Sequence, residues 1–201
     1  MYRTLLLVVL SAIALQARAT SLNLSGDQQD LDAFGQDMLA AFGYKVLAPA
    51  TPMGLTGFSV GGYGSIVTVH DRDADERLTG SAPHLIGVTG FSVEKGIPFL
   101  GKFIGQYGWV PGTSAQVWSA ALQGVWLHED VVLPSIATTF SYSGAQHIHT
   151  FNWHSQSIDI EISKRFVFVT PFAGFGYAWS SLNPSSNTNF SLDGINVDRG
   201  M

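Results

Sequence analysis

The run Ser157-Ile158-Asp159-Ile160-Glu161-Ile162-Ser163 alternates without exception between apolar and polar residues. A two-residue period belongs to the β-strand, where successive side chains point to opposite faces. Three isoleucines therefore share one face, and two serines, an aspartate and a glutamate share the other. Two architectures accept such a strand. A barrel in lipid turns the isoleucines outward and the acids toward a wet interior; a soluble sandwich does the reverse. This run alone does not choose between them.

The run Pro171 to Trp179 argues for the barrel. One face carries Ala173, Phe175, Tyr177 and Trp179, the other only Gly174, Gly176 and Ala178. A sandwich core takes bulky side chains inward, whereas this bulky face ends in Tyr and Trp, which favour a membrane–water boundary. Phe103, Tyr107 and Trp109 repeat the pattern, and Trp118 and Trp126 share one face of a further segment near its two ends. Trp109, Trp118, Trp126, Tyr177 and Trp179 are thus expected to form an aromatic girdle, and Ser157, Asp159, Glu161 and Ser163 to line the lumen. Asp159 and Glu161 are placed to meet Lys102 or Arg165.

Composition supports the inverted arrangement. Charged residues make up 12% of the chain, about half the share usual for soluble domains. Yet no segment past the N-terminus approaches the roughly 18 consecutive apolar residues of a helical span. A chain with few charges and no spanning helix satisfies its backbone in lipid only as a closed barrel. Residues 1–19 read as a secretory signal, with Arg3 in the n-region, an apolar run over Leu5 to Leu15, and the small-x-small site Ala17-Arg18-Ala19. Without Arg3 and Arg18 the basic residues fall from 10 to 8 against 15 acids, a net charge near −7, which disfavours a nucleic-acid partner. There is no cysteine, so disulfide, thiolate-metal and cysteine-nucleophile chemistries are excluded.

Residues 20–56 form an N-terminal helix and a Pro-rich link. Ser25 is placed to cap a helix reaching Phe42, with Asp27 and Asp30 early and Leu31, Phe34, Met38 and Phe42 at helical spacing; Gly43 ends it. The helix is expected either to pack on its own domain or to serve as a periplasmic helix or plug at the barrel mouth. Residues 57–201 form the barrel domain, with strands near 57–69, 85–95, 102–110, 115–128, 133–143, 149–163 and 167–180, and an eighth if 189–197 is one. With a periplasmic N-terminus, the connections His70 to His84, Val110 to Thr113, Ser143 to His149 and Ser180 to Asn189 fall outside. Lys95 to Pro98, His128 to Asp130 and Lys164-Arg165 fall inside. The longer, more polar connections then share the external side.

Several segments resemble an uncharacterised family of bacterial outer-membrane barrel proteins. They are Tyr44-Lys45, Ala48-Pro49, the entry segment Pro52-Met53-Gly54-Leu55-Thr56-Gly57-Phe58, and the run Ile162 to Phe166 leading into Thr170 to Gly174. The resemblance implies fold and location, and the family carries no established activity. The expected fold is all-β: an antiparallel up-and-down transmembrane β-barrel of about eight or more strands with a short N-terminal helix. The segment Asp193 to Met201 lacks the terminal aromatic usual in such barrels, so further strands beyond Met201 are expected.

Chemistry-bearing clusters are sparse. Asp71-Arg72-Asp73-Ala74-Asp75-Glu76 begins like a calcium loop, but Glu76 and Ala82 stand where an EF-hand needs Gly and Glu. His147 and His149 share a strand face and could offer zinc or copper two imidazoles, with no third ligand fixed by spacing. His154 and Ser155 point to opposite faces, which disfavours a hydrolytic triad. No catalytic residue, resident metal or cofactor is expected. The functional expectation is a non-enzymatic outer-membrane barrel, foremost a pore or small-solute channel. The alternatives are an adhesion-type or structural barrel with a packed lumen, an outer-leaflet lipid-modifying enzyme, and a soluble secreted binder. The expected partners are outer-membrane lipid, lipopolysaccharide and the barrel-assembly machinery.

Overall fold

The computed structural model describes residues 28–47, 49–69, 85–98, 101–130, 132–147, 151–184 and 195–200. The signal segment, Ser25, the acidic run Asp71 to Glu76, Ile148 and His149 lie outside the described residues.

One helix, α1 (Gln28–Phe42), precedes eight strands. These are β1 (Phe58–Thr68), β2 (Leu85–Ile97), β3 (Gly101–Trp109), β4 (Gln116–Leu127), β5 (Ser135–Gln146), β6 (Phe151–Ser163), β7 (Phe172–Pro184) and a short β8 (Ile195–Gly200). They form one antiparallel sheet in simple sequence order, curled into a half-barrel. No pairing joins β8 to β1 among the described residues; β8 pairs only with the stretch of β7 from Tyr177 to Leu182 and lies against α1. Every connection is a nearest-neighbour hairpin, the topology that alternating strands with short turns produce.

Local chemistry sets the turns. Between β3 and β4 the chain reads Val110-Pro111-Gly112-Thr113, and the Thr113 N–H donates to the Val110 carbonyl at 3.1 Å. Proline presets the first turn position, and Gly112 takes φ +82°, the left-handed value the second position needs. Gly43 closes α1, its N–H reaching the Leu39 carbonyl at 3.0 Å. A Cβ there would lie 2.6 Å from that carbonyl oxygen.

Several boundaries differ from the sequence reading, two strand starts by five residues or more. The strand expected from 167 begins at Phe172, and 164–171 forms a wider turn closed by the Phe166 N–H to the Val169 carbonyl at 2.7 Å. The Phe-Val-Phe-Val run has strand propensity, but pairing with β6 starts only at Ser163 opposite Phe172. The segment expected at 189–197 is strand only over Ile195–Gly200.

The two faces of the sheet are chemically opposite. On the concave face, Ser92, Glu94, Lys102, Gln106, Ser119, Gln123, Thr139 and the inward residues of β6 are buried. On the convex face, Val60, Ile66, Phe91, Phe103, Leu122, Phe140, Ile160, Ile162 and Phe175 are exposed. The apolar core proper sits at one end of the concavity. There Phe34, Met38, Leu39, Ala41 and Phe42 of α1 pack on Val69, Ile86, Val88, Val117, Trp153 and Leu182. Phe42 meets Trp153 edge-on, with centroids 5.8 Å apart. That end carries the β1–β2, β3–β4, β5–β6 and β7–β8 connections. The helix thus lies inside the curl, away from the short β2–β3, β4–β5 and β6–β7 turns.

Candidate functional site: the concave face and the segment that fills it

After α1 the chain descends the concavity toward β1, and inward polar groups of the sheet hold its backbone. The Gln106 amide donates to the Lys45 carbonyl at 2.6 Å and accepts from the Lys45 N–H at 3.3 Å. The Lys102 ammonium donates to the Pro49 carbonyl at 3.2 Å, and the Ser135 hydroxyl donates to the Ala50 carbonyl. An irregular segment needs such partners once it leaves water. The sequence signal for this was faint: Gln106 and Lys102 are polar residues at inward positions of a Gly- and aromatic-rich strand.

The charged groups stand in separate hydrogen-bonded sets on the concave face. Lys102, 1% exposed, pairs with Glu94 at 2.9 Å. Glu161 accepts from Thr139 and from the Gln123 amide, both at 2.5 Å. Asp159 accepts from Ser157 at 2.6 Å, Ser157 meets Ser141 at 2.7 Å, and Ser119 donates to Ser143 at 2.8 Å. The ion pair expected between Lys102 or Arg165 and Asp159 or Glu161 is not made. Lys102 takes the nearer Glu94 across the β2–β3 ladder, while the Arg165 backbone N–H donates to Glu129 at the rim. Hydroxyl and amide donors therefore satisfy the β6 carboxylates. A buried ionic system stands only when its members are hydrogen-bonded in this way.

The small-residue face of β7 has a direct steric reason. Asp159 pairs with Gly176 and Glu161 with Gly174. A Cβ on Gly176 would stand 2.1 Å from the Asp159 Oδ1, and one on Gly174 would stand 3.4 Å from the Glu161 Cγ. The acids of β6 lie over the bare backbone of β7. Beside them a cavity of about 430 Å³ remains between Tyr44 to Leu47, β1 and the start of β7.

Burial acts on the descending segment itself. It pushes Lys45 down to about 8 from its ordinary 10.5. It also raises the Tyr44 phenol, with Glu161, Glu94 and Asp159 adding to the effect. The Lys45 ammonium donates to the Ala40 carbonyl in the last turn of α1.

The other singled-out residues lie as follows. Ser157, Asp159, Glu161 and Ser163 are all buried on the concave face. Trp109, Trp126, Tyr177 and Trp179 are exposed on the convex face; Trp118 is half-buried there, beside Tyr142 at 5.6 Å. His154 stacks on Tyr142 on the convex face and Ser155 is buried on the concave one. His147 sits in a bend at φ 61° after β5, so its side chain does not continue the strand alternation on which a shared face with His149 depended. Among the described residues no three His, Asp or Glu side chains gather at metal-binding distance.

No family profile, curated protein or solved structure matches this chain. The geometry stands alone.

Proposed function

We infer that this chain is an outer-membrane β-barrel protein without enzymatic activity, closed at rest by its own N-terminal segment. We further infer that it passes small solutes only when that segment leaves. One observation carries the reading: the exposed convex face is apolar and aromatic, while the buried concave face is serine, amide and charge. In water that arrangement leaves the large apolar residues exposed and places the ionic groups where desolvation is costliest. In lipid the same faces are each matched to their surroundings. The family resemblance and the signal-like N-terminus support the same location.

Closure in lipid requires partners for the edges of β1 and β8, since unpaired backbone there costs several kcal/mol per group. The reading therefore includes strands that meet those edges. The packed-lumen alternative draws on the same descending segment, held at Lys45, Pro49 and Ala50. Planar-bilayer recordings on the full protein, with and without residues 28–50, separate the two. Conductance steps that appear only after the deletion support a plugged channel, and silence in both forms supports a structural barrel. Release of the native protein from envelopes without detergent would overturn the membrane reading altogether.

A further inference from the structure

At the end of the sheet opposite α1, two neighbouring turns present apolar side chains to the outside. In the β6–β7 turn Phe166, Val167, Phe168 and Val169 are 60%, 88%, 95% and 63% exposed. In the β4–β5 turn Val132 is 83% and Leu133 48% exposed. Four consecutive large apolar residues at a turn tip leave much more apolar surface open than scattered exposed residues do.

The two turns are built into one unit. The Lys164 N–H donates to the Pro171 carbonyl at 3.1 Å, closing the base of the β6–β7 turn. The Lys164 ammonium crosses to the β4–β5 turn, donating to the carbonyls of Asp130 and Leu133, the latter at 2.9 Å. The Arg165 N–H donates to the Glu129 carboxylate at 2.9 Å. The apolar tips are thus held side by side by hydrogen bonds behind them.

The patch continues onto the convex face. Ile162, on the convex face of β6 just before the turn, is 44% exposed. Trp126, 77% exposed, lies at the bulge of β4, where the register shifts between Val125 and Leu127. Its indole N–H is anchored to the Thr138 hydroxyl at 3.0 Å. Arg165 is exposed on the rim beside the tips. Exposed apolar tips, an anchored Trp and a flanking Arg together suit the membrane–water interface.

We propose that the paired β4–β5 and β6–β7 turns are a lipid-seated rim, their apolar tips set in the interfacial region of one leaflet with Arg165 at phosphate level. This rests on the membrane reading above. It deepens that reading by making one end of the barrel a lipid contact rather than a water-exposed turn region. The committed partner is the bilayer, because the patch is continuous with the exposed apolar convex belt through Ile162 and Trp126, and Arg165 complements phosphate.

The absence of native cysteine makes the test direct. Single variants Val167→Cys, Val132→Cys, Phe140→Cys and Thr113→Cys are spin-labelled in the full protein and reconstituted in phosphatidylethanolamine–phosphatidylglycerol vesicles. Accessibility to oxygen and to a water-soluble nickel chelate is then measured. Phe140, on the middle of β5, reports the convex belt; Thr113, in the turn at the other end, is the aqueous reference. The expected result is an oxygen-to-nickel ratio several-fold higher at 167 and 132 than at 113, in the same direction as at 140. Nickel-accessible labels at 167 and 132 with a lipid-exposed label at 140 would overturn the lipid-seated rim and leave the membrane reading intact. Labels shielded from both reagents at 167 and 132 would show a protein contact and overturn it equally. A nickel-accessible label at 140 would remove the membrane reading, and this inference with it.

Discussion

Replacing Leu39 with alanine loosens the descending segment without touching the sheet. Leu39 is fully buried at the centre of the α1 contact with the concave face. Removing such a side chain from a packed core costs roughly 2–5 kcal/mol. About 3 kcal/mol raises the population of the undocked segment roughly 100-fold, at about 1.4 kcal/mol per tenfold. The read-out is built into the sequence, because Lys45 is the first basic residue after Arg18 and the next is Arg72. Its carbonyl, the scissile one for trypsin, is held by the Gln106 amide at 2.6 Å, so the docked segment is protected. When opening and closing outpace cleavage, the rate follows the open population. The variant in detergent or vesicles should therefore be cut after Lys45 roughly 100-fold faster than the parent, with the cut sheet still migrating as a folded, heat-modifiable band. A cleavage rate within a few-fold of the parent would refute the reasoning that α1 and the link dock as one unit. Simultaneous loss of the folded band would show instead that Leu39 supports the sheet itself.

Four further outcomes follow from the same geometry. Glu161→Ala leaves the Thr139 hydroxyl and Gln123 amide without their buried acceptor, which should cost about 1–3 kcal/mol. Urea titration of tryptophan emission checks this, and an unchanged midpoint would contradict it. Gly176→Val forces a Cβ to within 2.1 Å of Asp159 Oδ1 and should abolish the folded band, whereas Gly64→Ala, with nothing within 4 Å, should leave it. Phe140→Arg puts a charge mid-strand on the convex face. It should destabilise the vesicle-reconstituted protein by about 2–4 kcal/mol, and a change near zero in refolding titrations would argue against lipid there. The fourth concerns pH. Lys45 titrates near 8 docked and near 10.5 when released, so the docked state binds fewer protons between those values. Docking therefore strengthens as pH rises through that window and is weakest below it. Chymotryptic cleavage after Tyr44, normalised to a free peptide at each pH, should slow from pH 8 to 10.5, and Lys45→Met should flatten the profile.

The periodic parts of the chain were legible because burial repeats with the backbone. The alternation in Ser157 to Ser163 and the aromatic-against-glycine faces of Pro171 to Trp179 fixed the two sides of their strands. Val110-Pro111-Gly112-Thr113 fixed its turn through the φ values its residues permit. The Val167 to Val169 run was misread because strand propensity is local, while strand extent is set by where a partner strand is available.

By itself, then, the sequence determined an all-β chain with one helix, chemically opposite strand faces and carboxylates on the polar side. Those properties follow from side-chain order along a period-two backbone. Only the tertiary structure decided that α1 lies inside the curl at the far end from the short turns, that Lys102 chooses Glu94, and that hydroxyls and amides serve Asp159 and Glu161. It alone brought Gln106, Lys102 and Ser135 onto the carbonyls of a segment some fifty to eighty-five residues away. Those pairings depend on register between strands and on the curl of the sheet. Both emerge when all the ladders form together, and neither is encoded in any single segment.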